Sequence, residues 1–350
     1  MGSTRRNVLA LGGLAATVAA GSWLLVGRGP ALPADPLEMV PQATTAVAWV
    51  NVRAVLGSPI WERIVGGGDQ GMRQIERVCG FNPIDEIDEL VIAASGDEPT
   101  DLDRVGIVAR GPLSHEKLVR CVRDVVADDG GSLRQIELDG VPAVAGRGSS
   151  RAAFWGSDAI VGGDEETVRA VISVLRRDRG SAAADPTLAR LWRRVAAGRQ
   201  VVLVSHVPER WRSTLRRTVR EAGTIDLSPL GGVRAVGLGA RVSGGLGLGV
   251  ALQMRDRTQA RAATDTLRAE VDRALADPRV TLSALGPVLR RLQMEAQDGD
   301  VVLALELSGL QLADLIDLVE DLWNRDDDRG GRPAPSRAPP EPDTVIRPHE

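Results

Sequence analysis

The sequence predicts an α+β fold made of two tandem units. Each has β-α-β-β-α-β (ferredoxin-like) order with antiparallel sheets, and both lie behind an N-terminal transmembrane or signal helix. Three observations carry this. Short β-rich runs and amphipathic helical stretches fill residues 45–324, and the same strand and helix order reads twice. The polar stretch Arg176–Asp185, RRDRGSAAAD, separates the two readings. Ahead of both, Val8–Gly27 is a run of twenty uncharged residues.

As a helix that run rises about 30 Å, the hydrocarbon thickness of a bilayer. Gly12, Gly13, Thr17, Gly21, Ser22 and Gly27 dilute its Leu and Val, so it is weakly hydrophobic. Directly before it, Thr4-Arg5-Arg6-Asn7-Val8-Leu9 resembles the twin-arginine export motif, two arginines, one free position and two apolar residues. It departs from that motif at Val8, where Phe is common, and at Ala10, where a basic residue is common. Gly29-Pro30-Ala31 and Leu32-Pro33-Ala34 are imperfect small-residue cleavage sites. The segment therefore reads as an uncleaved anchor or as a cleaved export signal. With Arg5 and Arg6 held inside, both readings expect the body to face or enter the periplasm.

Residues 28–44 read as a Pro-rich stem (Pro30, Pro33, Pro36, Pro41) that spaces the body from the membrane. The first domain, 45–180, opens with a strand at Thr45–Val52 that is apolar on both faces and hence central. Ser58 and Pro59 begin a helix that Gly66-Gly67-Gly68 interrupts and that resumes from Met72 to Val78. Strands follow at Asp88–Ala94 and Arg104–Arg110. A helix capped by Ser114 then carries Leu118, Cys121, Val122, Val125 and Val126 at i, i+3, i+4, i+7 and i+8. Four short strands, near Leu133–Leu138, Val141–Ala145, Ala152–Trp155 and Ala159–Val161, lead to a helix capped by Asp164.

The second domain, 186–324, opens with a short helix, Pro186–Ala197, and a strand, Gln200–Val207. A helix Glu209–Ala222, strands Val233–Val242 and Leu246–Met254, and a long helix Thr258–Ala276 follow. After Pro278 comes a helix with Leu285, Val288, Leu289 and Leu292, then a strand Val301–Leu307 and a last helix Leu310–Asn324. From 325 to 350 six prolines, two glycines and scattered charge cannot bury a core, which is the composition of a disordered tail.

Composition bounds the chemistry. A hydrophobic content of 43% supports ordinary cores, and a net charge of −4 gives no whole-chain attraction to nucleic acid. Lys117 is the only lysine, so arginine supplies nearly all positive charge. Outside the cytoplasm Cys79 and Cys121 could form one disulfide; alternatively Cys121 is a small buried apolar residue on its helix. Neither cysteine has a histidine pair nearby, so no metal site is expected. His115 lies at a helix start, His349 in the tail, and His206 closes a strand as a satisfied structural residue.

No catalytic residues are assigned and no cofactor is expected: there is no G-x-S-x-G elbow and no P-loop. Gly245, Gly247 and Gly249 alternate on a strand, which reads as a face closely approached by another backbone. Arg210, Arg212, Arg216, Arg217 and Arg220 share one helix, either as a solvated face or as a patch for an anionic surface such as lipid headgroups. Asp314, Asp317 and Asp321 form an acidic stripe without the spacing of a calcium loop.

Val40-Pro41-Gln42-Ala43-Thr44-Thr45, Ser58-Pro59-Ile60-Trp61 and the Gly80–Asp88 run, Gly-Phe-x-Pro-x-x-x-Ile-Asp, extend the comparison. With the export segment they resemble exported α+β proteins of Gram-negative, myxobacteria-like bacteria, over residues 38–180. That resemblance implies work in the cell envelope and transfers no catalytic residue. The expected function is a non-catalytic envelope protein, membrane-tethered through residues 8–27 or exported, that binds or positions an envelope protein or surface. Two alternatives stand beside it. One is a periplasmic hydrolase using carboxylates such as Asp97, Glu98 or Asp101, and the other a peripheral sensor of anionic membranes using the Arg210–Arg220 helix.

Overall fold

The structure, a computed structural model, describes residues 31–59, 61, 76–96, 104–112, 114–128, 131–146, 148–210, 212–213, 228–314 and 316. The expected leader with Arg5 and Arg6, and the expected tail, lie outside these residues. Among the described residues no helix is long and apolar enough to cross a membrane.

The first half contains β1 (Ala46–Asn51), α1 (Val52–Leu56), β2 (Glu89–Ala94), β3 (Val105–Arg110) and α2 (His115–Asp128). It continues with β4 (Arg134–Leu138), β5 (Val141–Ala145), β6 (Ser150–Trp155), β7 (Ala159–Asp164) and α3 (Glu165–Leu175). The second half contains α4 (Pro186–Val195), β8 (Val201–His206), β9 (Ala235–Arg241), β10 (Gly245–Gln253) and α5 (Arg257–Ala276). It ends with α6 (Pro278–Thr281), α7 (Leu285–Arg291), β11 (Gln293–Gln297) and β12 (Asp300–Ser308). Residues 309–314 and 316 are helical.

The twelve strands among the described residues form one sheet in the order β11-β12-β10-β9-β8-β1-β2-β3-β7-β6-β5-β4. The molecule is thus mixed α and β around a large antiparallel sheet. As its unbroken apolar pattern predicts, β1 is central, pairing with β2 on one side and β8 on the other.

The ferredoxin-like pairing does not occur. That arrangement needs parallel neighbours made by β-α-β crossovers, whereas every strand pair here is antiparallel. With β2 and β8 occupying both edges of β1, no edge is left for a parallel partner. What the halves do share is an order of pairing. Three strands run side by side, a helix follows, and the last strand returns to the third: β7 to β3, and β12 to β10.

One face of the sheet carries the main core. Val47 and Trp49 of β1 lie opposite Ala93 and Val91 of β2, and opposite Val204 and Val202 of β8. Against that face pack Val168, Val171 and Ile172 of α3 and Leu188 and Leu191 of α4, all wholly buried. Each such side chain contributes about 1.5–3 kcal/mol through burial. The other face is covered at one end by α5, whose Ala260 and Ala263 pack with Val301, Leu252 and Leu303. Toward the other end α2 lies near it, with the His115 ring 4.7 Å from that of Phe154.

Two expectations about connecting segments need correction. Part of the expected stem is core: Pro36–Met39 forms a 3-10 turn whose Leu37 and Met39 are buried, as is Val40 after it. The expected boundary segment closes over it. Pro41 bridges Ser181, Ala182 N–H donates to Val40 C=O at 2.9 Å, and Ala182 is wholly buried. Proline marks a turn there, and Leu37, Met39 and Val40 give the turn an apolar side to bury.

Two elements differ from the sequence reading in the second half. The helix expected after Pro278 is two pieces, α6 and α7. The chain folds back tightly at Gly286, where a Cβ would meet the Thr281 carbonyl oxygen at 2.6 Å. β11, QMEAQ, is an edge strand that the sequence reading missed. Its alternation rests on Met294 and Ala296 alone, the rest being polar. Arg268 of α5 donates to the Met294 carbonyl at 2.5 Å.

Candidate functional site: an arginine-lined pocket

The site begins with the local sequence Asp185-Pro186-Thr187. Asp185 caps α4, accepting from Thr187 N–H at 2.8 Å and Leu188 N–H at 3.0 Å, and Pro186 starts the helix where its missing N–H costs nothing. Partial burial pushes the Asp185 carboxyl upward. The Leu188 N–H, the His206 ring at 2.9 Å and the Thr187 N–H outweigh this and hold it below its ordinary value.

Leu188, Leu191 and Val195 turn α4 onto the sheet, over Gly237 and Gly239 of β9. A Cβ on Gly237 would sit 3.3 Å from a Val195 methyl, and one on Gly239 would strike the Val195 carbonyl oxygen. Only glycine allows this approach, and it fixes where the flank of the helix falls. That flank carries Arg190, Arg193 and Arg194, at i, i+3 and i+4.

The flank looks onto two turns at one end of the sheet. In the β11–β12 turn, Asp298 and Gly299 have φ of 54° and 91°, the left-handed values of a two-residue hairpin. Next to it is the β10–α5 turn, Met254 to Arg257, tied in by Met254 N–H donating to Gly299 C=O at 3.0 Å. Together they border an open pocket of about 840 Å³ lined by five arginines, three aspartates, Gln253, Met254 and Gly299.

At its base Asp300 is wholly buried and accepts from Arg190 Nη1 at 2.5 Å, with Arg194 Nε 3.5 Å from the same oxygen, Oδ2. Its other oxygen, Oδ1, is buried and has no hydrogen-bond partner among the described residues. Arg194 also donates to Gln297 Oε1 at 3.0 Å and lies 3.5 Å from Asp298. The remaining arginines are unspent: Arg193 donates only to Ala189 C=O, and the exposed Arg255 and Arg257 have no hydrogen bond or ion pair among the described residues. Asp256 is occupied in capping α5 through Gln259 N–H at 2.9 Å. No histidine, cysteine, serine or lysine lines the pocket. Guanidinium groups in such an arrangement can donate to an oxyanion.

The residues singled out from sequence fall elsewhere. Arg212 is paired with Glu209 at 2.5 Å, and the Arg210 carbonyl accepts from Ser213; Arg216, Arg217 and Arg220 lie outside the described residues. Asp97, Glu98 and Asp101 also lie outside them, as do Gly66–Gly68, Asp317 and Asp321; Asp314 is exposed. His206 is hydrogen-bonded to Asp185. Cys79 and Cys121 are joined by a disulfide, with Cα atoms 4.6 Å apart. Among the described residues no group of three or more His, Cys, Asp or Glu could hold a metal.

The alternating glycines of β10 serve a neighbour different from the one expected. At Gly245 the close neighbour is the backbone of Leu307, but over Gly247 lie the Glu306 carboxylate and the Arg199 guanidinium, 2.7 and 2.8 Å from where its Cβ would be, and over Gly249 the same guanidinium at 3.4 Å.

No family model matches the chain, and no curated protein does either. Solved structures of TP0453 are similar to it in shape. Crystal form III aligns with a TM-score of 0.47 and 10% identity over 81% of this chain and 98% of that one. For crystal form I the values are 0.44, 10%, 81% and 97%.

Proposed function

We propose that this chain is a non-catalytic binding protein of the cell envelope that takes an anionic ligand in the pocket between α4, the β10–α5 turn and the β11–β12 turn. The observation that carries this is the surplus of guanidinium groups there, five against three carboxylates, with Arg193, Arg255 and Arg257 free of acidic partners among the described residues. Guanidinium is the side chain best suited to oxyanions, because its planar fork donates two parallel hydrogen bonds. An export route through Arg5, Arg6 and residues 8–27 belongs to the same proposal. The Cys79–Cys121 bond supports it, since disulfides persist in oxidising compartments. We also read the shared pairing order of the two halves as the mark of a tandem repeat.

The test is a thermal-unfolding titration with sodium phosphate at constant ionic strength. Phosphate should raise Tm in the parent chain by several degrees at about a hundredfold excess over Kd. Arg255→Ser with Arg257→Ser should abolish most of that rise while leaving Tm without phosphate unchanged. An equal rise in the parent and the double variant would remove the pocket from consideration. For the compartment, a reporter fused to residues 1–40 should partition with the envelope, and a cytosolic reporter would refute export.

A further inference from the structure

We infer that the pocket's ligand is a phosphorylated polyhydroxy compound, a sugar phosphate, recognised through its phosphate and through a hydroxyl that donates to Asp300. This rests on the anion-binding reading above and narrows it to a ligand class.

Charge gives the first half of the argument. Five arginines against three aspartates leave the lining with two positive charges in excess. A phosphomonoester carries between one and a half and two negative charges, roughly, at neutral pH and matches that excess. A lone carboxylate or a phosphodiester, with one charge, does not. Arg190 and Arg194 are already committed to Asp300, so the phosphate falls to Arg193, Arg255 and Arg257 at the mouth.

The unpartnered acceptor gives the second half. Asp300 is wholly buried, lines the pocket, and has one oxygen, Oδ1, to which nothing among the described residues donates. A buried carboxylate oxygen left unsatisfied is costly, and a bare phosphate dianion only repels it. A ligand hydroxyl satisfies it. The same logic extends to Asp298 at the rim, whose side chain is 64% exposed and only loosely paired with Arg194 at 3.5 Å. Acidic residues interleaved with arginines are wasteful around a simple anion. Around a polyol that carries an anion they are complementary.

None of the lining residues is aromatic and only Met254 is a large apolar one, so a long acyl chain finds little to pack on. At about 840 Å³ the pocket is also much larger than an inorganic anion needs and lies within the range that holds small organic ligands.

Calorimetric titration of the full-length chain with sodium phosphate, glucose 6-phosphate, glucose and phenyl phosphate tests this. Glucose 6-phosphate should bind about tenfold more tightly than phosphate, the worth of one hydrogen bond to a charged acceptor. Glucose should give no heat, and phenyl phosphate, a monoester without a hydroxyl, should bind no better than phosphate. Asp300→Asn should erase the preference for the sugar phosphate. If that variant does not fold, the ratio measured in the parent chain still decides. Equal affinity for phosphate and glucose 6-phosphate would overturn the sugar-phosphate inference and leave anion binding standing. Absence of binding by either would overturn both, and tighter binding of phenyl phosphate than of glucose 6-phosphate would overturn the ligand class.

Discussion

In the first half of the molecule, Arg169 and Arg176 reach from α3 and its C-cap to the Asp139-Gly140 turn between β4 and β5, one to the Asp139 carboxylate and the other to its carbonyl. In the second half, Arg190 of α4 reaches Asp300, the first residue of β12, and Arg194 lies near Asp300 and near Asp298 of the Asp298-Gly299 turn between β11 and β12. Both turns have left-handed Asp and Gly. The grips differ in what surrounds them. Glu165 accepts from Arg169 and also from Arg151 on a largely open surface, and the hydrogen bond to Glu165 raises the Arg169 pKa. In the second, the acceptor Asp300 is buried, and Arg193, Arg255 and Arg257 of the same pocket have no acidic partner among the described residues. One device holding a helix to a hairpin is therefore an exposed clasp in the first half, and in the second it borders the pocket proposed above to take an anion.

The largest expected effect would expose a further difference, since only the first half has a covalent staple. Replacing Cys79 and Cys121 with Ala frees a loop of 42 residues' separation and should cost about 4 kcal/mol in a urea titration. A cost near zero would mean that the bond constrains little. Next comes the ion pair. Arg190→Ala should cost about 3 kcal/mol, because it strips a buried carboxylate of its closest partner, whereas Arg169→Ala should be nearly silent at its exposed position. Equal costs would erase the distinction drawn here.

Helix seating can be compared across the halves as well. Gly239→Ala drives a methyl into the Val195 backbone of α4 and should cost about 2–3 kcal/mol. Gly106→Ala meets the Thr167 methyl of α3 at 2.7 Å, a side chain that can turn aside, and should cost about 1 kcal/mol. The smallest effect concerns pH. Burial lowers the His115 pKa from 6.5 against a weaker upward pull from Asp158. Below pH 6.5 the unfolded chain therefore takes up a proton more readily than the folded one, and stability falls on acidification through that window. His115→Gln should flatten this part of the stability-against-pH curve; an unchanged slope would assign it to other groups.

Local pattern carried most of the architecture. The strands around Val47, Val91, Val108, Val204 and Val301 and the helices around Cys121, Ile172 and Ala263 stand close to where apolar periodicity puts them, and Asp164 caps its helix through Thr167 N–H. Pairing was not legible, because whether β1 meets β2 or a more distant strand depends on contacts that no window of sequence contains. β11 escaped because only two of its five residues are apolar. The pocket escaped for a different reason. Arg190, Asp256 and Asp300 are separated by dozens of residues, and each segment alone looks like an ordinary charged turn or helix flank. The Arg210–Arg220 cluster drew attention because its residues are neighbours in sequence. Convergence in space is invisible to that kind of reading.

The pairing of β1 with β8 has a consequence for synthesis. Strand β1 has one partner about forty residues downstream and the other about one hundred and fifty, so a chain emerging from its N-terminus holds half of its middle strand unzipped until His206 has appeared. Halting the chain near residue 180 would leave a ribbon of unclaimed N–H and C=O groups along β1, ready to recruit another copy. Such a fragment should clump, and adding residues 201–206 as a separate peptide should disperse it.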